Sequence, residues 1–123
     1  MALTLDTPMR NAIADAVDTQ VGTTATMEFQ TSGDVEVATL TLANPAFGAA
    51  STGVITLGGV PLSDTNATGG VMAKFRIKSA GTTSQIAGTV STSGADINFA
   101  GGVTVGATDT VTLTAFTITC PAS

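Results

Sequence analysis

The hydrophobic pattern of this chain changes period once, at Gly22, and does not change back. Before that point Met9, Ala12, Ile13, Ala16 and Val17 recur at i, i+3, i+4, i+7 and i+8, the spacing of one helix face. Thr7-Pro8 supplies an N-cap and a first-turn proline, and Gly22 supplies a stop, so the spacing predicts one helix over Pro8 to Val21. Its opposite face carries Asn11, Asp15 and Asp18. The narrow apolar stripe is expected to bury against a sheet or a neighbouring subunit.

After Gly22 the period stays near 2, with β-branched residues dominating and Gly, Asn, Asp and Ser supplying the breaks. The strands expected are Thr24 to Gln30, Val35 to Ala43, Gly53 to Leu57, Val71 to Ser79, Gln85 to Val90, Asp96 to Phe99, Val103 to Val105 and Thr110 to Thr119. Eight short strands at this spacing predict a mainly all-β fold, an antiparallel, jelly-roll-like β-sandwich with one N-terminal α-helix. The 123 residues fit one domain, with an arm over 1–7, the helix over 8–21 and the sandwich over 24–119.

Two connections carry distinct signals. Ser32-Gly33-Asp34 is turn chemistry short enough to make its flanking strands an antiparallel hairpin. Gly58 to Gly70, with Gly58-Gly59, Pro61 and Asp64 to Gly70, has no sustained period and reads as a long surface loop. That loop and the N-terminus are the expected contact surfaces. In Asn44-Pro45-Ala46-Phe47-Gly48 the proline stops a strand, and the Phe47 ring must bury itself, as a plug over the core or as an anchor in a partner.

Composition narrows the chemistry. The chain has no His, Trp or Tyr and one Cys, so proton shuttling by imidazole and clustered thiolate or imidazole metal ligation have no reagents here. A non-enzymatic protein without cofactor or metal is expected. Cys120 stands alone, which rules out an intrachain disulfide and reads as a small buried hydrophobe at a strand end. A net charge of −5 disfavours nucleic acid, whose phosphates are held by Lys and Arg. No run approaches the ~18 apolar residues of a membrane span, and the start lacks a basic segment followed by an apolar one. Synthesis and residence in the cytoplasm, or carriage within a larger particle, is the expectation. Charged residues make up only 11%, which leaves a surface of Thr, Ser, Gly and Ala suited to being covered by partner chains.

Several constellations invite a sharper reading. In Val71 to Lys78, Val71, Ala73, Phe75 and Ile77 point one way and Met72, Lys74, Arg76 and Lys78 the other, which places three of four basic residues in one ladder. The ladder serves either to dock on an acidic partner or to keep a strand soluble. Asp64 with Asn66, and Asp96 with Asn98, have oxygens for a hard cation, but these residue types are also what turns require. A two-carboxylate glycosidase site is formally possible among Glu28, Asp34 and Glu36, but Glu28 and Glu36 alternate onto the polar side, opposite the apolar face.

Met1-Ala2-Leu3-Thr4-Leu5, Arg10-Asn11-Ala12 and Leu40-Thr41-Leu42-Ala43-Asn44-Pro45-Ala46-Phe47-Gly48-Ala49-Ala50 together resemble small virion proteins of tailed bacteriophages. Ala73 to Ile77, Thr92 to Ile97 and Phe116 to Thr119 fit the same pattern. The group looks like head decoration, or cement, proteins. The resemblance implies a protein that binds the outside of an assembled capsid, clamps subunits of the major capsid protein and associates with itself, and so resides in the virion. Contacts are then expected from Leu3 and Leu5 in the arm, from Phe47, and from Lys74, Arg76 and Lys78. A tail-tube, connector or fibre subunit shares the composition and stands as the alternative, although no repeat of fixed period supports a fibre.

Overall fold

The computed structural model describes residues 3–80 and 82–121. Among the described residues one helix, α1 (Thr7–Val21), precedes eleven short strands, which makes the protein mostly β with one N-terminal helix. Asp6, not Thr7, takes the N-cap position, with extended backbone and no side-chain cap bond, and Pro8 lies in the first turn. Gly22 ends the helix at φ 85°, a conformation that a Cβ disfavours, and its amide donates to the Asp18 carbonyl at 3.1 Å.

The main sheet is curled, five-stranded and rich in antiparallel pairs. It runs in the order β2 (Glu36–Thr41), β1 (Thr26–Gln30), β6 (Lys74–Ser79), β7 (Thr83–Ser91), β8 (Ile97–Asn98). β1 and β2 form the hairpin that the Ser32-Gly33-Asp34 turn predicts, with Asp34 at φ 68°. β8 departs from the expected antiparallel pattern, since Val90 pairs Ile97 in a parallel bridge.

One face of this sheet holds the core. Met27 and Phe29 of β1 lie opposite Ile77 and Phe75 of β6, and all four are buried. All five phenylalanines of the chain meet edge-on or tilted: Phe29 with Phe99 at 5.6 Å, Phe75 with Phe116 at 5.6 Å, and Phe116 with Phe47 at 6.3 Å. Gly88 of β7 sits beneath Phe75, where an added Cβ would come within 2.4 Å of the ring. The opposite face is polar and carries Glu28, Lys74, Arg76 and Lys78.

Two expected strands break differently, each for a reason of phase. Thr110 to Thr119 is two strands, β10 (Val111–Leu113) paired with β4 (Leu62–Asp64) and β11 (Thr117–Thr119) paired with β3 (Val54–Thr56). Its inward residues are Val111 and Leu113, then Phe116 and Ile118, a shift from odd to even positions that one continuous strand cannot bury. Val71 to Ser79 also divides. Met72 is buried and Val71 is exposed, so β5 (Gly70–Val71) pairs with β9 (Thr104–Val105), and alternation restarts after Ala73.

The expected loop Gly58 to Gly70 contains β4 and is fastened to the outer edge of β2. Asp64 Oδ2 accepts from the Thr39 amide at 2.9 Å, the Thr68 and Gly69 amides donate to the Val37 carbonyl, and Ala67 is buried. This segment covers a sheet edge that would otherwise offer free amides and carbonyls.

Candidate interaction surface

α1 is mounted on the fold by its polar side. The segment 46–53 bends beneath the helix, and several of its amides find no strand partner there. Asp18 Oδ1 accepts from the Phe47 amide at 3.0 Å, Asp15 Oδ1 from the Ala50 amide at 2.7 Å, and Asn11 Oδ1 from the Gly53 amide at 2.8 Å. Arg10 supplies the donors, with Nε to the Cys120 carbonyl at 3.0 Å and Nη2 to the Thr52 carbonyl at 2.8 Å. Gly53 is required where these groups converge. It has φ 79°, and a Cβ would sit 2.8 Å from the Cys120 carbonyl oxygen and 2.9 Å from Arg10 Nε.

Of the expected apolar stripe, only the Val17 end therefore packs on the core. Ala14 and Val21 are the buried residues of α1, while Met9 at 55% and Ile13 at 42% exposure lie in the open. The cause is hydrogen-bond satisfaction. The Phe47 and Gly53 amides are partly buried, where an amide left without an acceptor costs ~1–3 kcal/mol, and satisfying both turns this side of the helix inward. Beside the exposed stripe a groove of about 240 Å³ runs between α1 and β7, lined by Ile13, Ala16, Val17, Gln20, Val21, Gln85 and Ile86. A register irregularity pairs Ile77 with Ile86 and Lys78 with Ser84, leaving Gln85 as the extra residue, and Gln85 Oε1 accepts from Gln20 Nε2 at 3.3 Å.

The basic ladder on β6 exists as expected, and each member has an internal partner. Lys74 and Arg76 both pair with Asp34 at the hairpin tip, Arg76 at 3.6 Å, and Lys78 pairs with Glu28. The hydrogen bond and charge of Lys74, reinforced by Arg76, hold the Asp34 carboxyl below its ordinary range. With Arg10 on two carbonyls, all four Lys and Arg side chains are engaged within the fold.

The other singled-out residues fall as follows. Leu3 is 81% exposed and Leu5 half-buried, so the arm presents one free leucine. Phe47 is 2% exposed, and its ring takes the plug position against Phe116. Cys120 is half-buried and donates its amide to the Gly53 carbonyl. Asp64 accepts from the Asn66 and Thr39 amides, and Asp96 Oδ2 accepts from the amide and hydroxyl of Thr89, which is turn and edge chemistry. Glu28, Asp34 and Glu36 go to separate partners, Glu36 to the Thr39 hydroxyl at 2.8 Å. Among the described residues no group of three or more His, Cys, Asp or Glu is arranged to hold a metal ion. No helix of the structure is long and apolar enough to cross a membrane.

Sequence reasoning missed the groove and the clamp under the helix. The stripe was visible in the spacing, but Gln85 and Ile86 lie more than sixty residues from it. Arg10 carried a faint signal as the only cation before Lys74.

No protein-family model matches the chain, and no curated protein or solved structure matches it.

Proposed function

We propose that this chain is a non-enzymatic capsid decoration protein of a tailed bacteriophage, built as a jelly-roll-like β-sandwich, that binds the outside of the assembled head and stabilises contacts between major capsid protein subunits. The observation that carries the reading is the sequence pattern spread from the N-terminal arm to Phe116-Thr117-Ile118-Thr119. Composition supports it: a chain without His and with one Cys has little to catalyse with, and a weakly charged surface suits burial against partners. Large apolar side chains on the outside, Leu3, Met9, Ile13, Val35 and Val71, support it further, because surface of this kind is what association removes from water.

In this reading Leu3 and Leu5 form the arm that reaches a coat subunit, and Phe47 acts from inside by holding the loop around it. Lys74, Arg76 and Lys78 meet acidic coat residues by exchanging Asp34 and Glu28 for them. Each contact is weak and is multiplied by the symmetry of the particle.

The test is to mix the purified protein with decoration-free capsids, pellet the particles, count bound copies and record the capsid melting temperature. Copies on the order of hundreds per particle with a raised melting temperature are expected, since a ligand that binds only the assembled state stabilises it. Absence of binding, with rings or tubes formed by the protein alone, would overturn the reading in favour of a tail component.

A further inference from the structure

The exposed side of α1 is a heptad seam. Met9, Ile13, Ala16 and Gln20 follow one another at intervals of four, three and four residues, the a/d spacing that brings side chains onto one line facing another helix. None of the four is charged. The acidic residues of the helix, Asp15 and Asp18, are turned to the 46–53 segment by the amides they accept from. On a chain of net charge −5, pairing along this seam brings no like charges of the seam together.

We infer that the protein forms a two-fold symmetric dimer through antiparallel pairing of α1 with α1 of a second copy. A two-fold axis midway between Ile13 and Ala16 sets each Ile13 against the small Ala16 of the other copy, so large faces small, as interdigitating helices need. The same axis sets Met9 of one copy at the Gln20 end of the other. There the uncharged groove of about 240 Å³ between α1 and β7 opens, walled by Val17, Val21 and Ile86. The knob and its socket thus lie on the same helix, eleven residues apart, on either side of the axis, which is what an isologous contact requires. A flexible thioether side chain suits a groove with an irregular wall. Opposed helix dipoles favour the antiparallel sense. The dimer goes beyond the capsid reading and does not depend on it.

A helix of fifteen residues makes a small contact beside the roughly 800 Å² per partner of a standard interface, so association is followed over a wide concentration range. Sedimentation velocity of the full chain over about 1–500 μM is the test. A concentration-dependent shift from monomer to dimer is expected. Ile13→Glu weakens association at least tenfold with the melting temperature of dilute monomer unchanged, because Ile13 is already half outside the fold. Met9→Glu, at a still more exposed position, reads the same effect should Ile13→Glu disturb folding. Val71→Glu, on an exposed apolar residue of another surface, leaves the dimer intact. In a Cys120→Ser background, a mixture of Met9→Cys and Gln20→Cys chains cross-links between the two variants more than within either. A wild-type chain that stays monomeric at 500 μM, a dimer indifferent to both Ile13→Glu and Met9→Glu, or cross-linking within each variant only, would overturn the proposal.

Discussion

Asp15 and Asp18 are two carboxylates on one helix that sequence reasoning treats alike, and the structure assigns them very different weights. Asp18→Ala removes the acceptor of the Phe47 amide, which belongs to a residue 2% exposed and sits in a partly buried hydrogen bond. An unsatisfied buried donor costs ~1–3 kcal/mol. Two smaller effects oppose the loss. Alanine is the better helix former by up to ~0.7 kcal/mol, and removing a negative charge from the last turn relieves its repulsion from the helix dipole by ~0.3–1 kcal/mol. Taken at their midpoints, these terms leave a net destabilisation of about 1 kcal/mol. Asp15→Ala shares the propensity gain, but the Ala50 amide it releases meets water, so its net effect lies within ~0.5 kcal/mol of zero. For a 123-residue chain 1 kcal/mol moves the melting temperature by about 4 °C. Thermal and urea unfolding of both variants should thus separate Asp18→Ala from Asp15→Ala by several degrees, with Asp18→Asn recovering part of the loss through its amide oxygen. Equal small effects, or the larger loss in Asp15→Ala, would refute a helix held by its acidic face.

Gly53→Ala places a methyl 2.8 Å from the Cys120 carbonyl oxygen at a positive φ, so the urea midpoint should fall by an amount equivalent to more than ~1 kcal/mol; an unchanged midpoint would show that the Arg10 clamp is not tight. Gly88→Ala forces Phe75 off Phe116 and is expected to cost ~1–3 kcal/mol, with a change in the near-ultraviolet phenylalanine signal that a surface substitution would not produce. Asp34 has a lowered folded pKa, so its contribution is present above the ordinary carboxylate range and is lost as pH falls through the lowered value. Asp34→Asn, which keeps a residue tolerant of φ 68°, should make the acid side of the stability profile shallower and leave its alkaline side unchanged; a parallel displacement at all pH values would contradict this.

Much of the local structure was legible in the residues. Thr7-Pro8 and Gly22 bracket the helix to within one residue of its observed limits, because capping and proline geometry act over a few bonds. Ser32-Gly33-Asp34 announces the hairpin for the same reason, and Lys74, Arg76 and Lys78 share a face because a strand alternates whatever its neighbours are. The break at Thr114-Ala115 was also present, in the move of apolar residues from Val111 and Leu113 to Phe116 and Ile118.

The face that α1 turns inward was decided by tertiary structure alone. Periodicity measures what a helix could bury, while the surface that meets it, here a segment whose amides need acceptors, is supplied by residues 46–53 and Cys120. The pairing of Asp34 with Lys74 and Arg76, the fastening of 58–70 along β2, and the groove where Gln85 and Ile86 meet Val17 also join residues forty or more positions apart, or segments without a period of their own. The sequence by itself determined where the helix begins and ends and that strands follow it. Only the folded chain decided that the acidic side of the helix would bind the protein's own backbone and leave Met9 and Ile13 outside, because hydrogen-bond satisfaction between distant segments is settled when they meet.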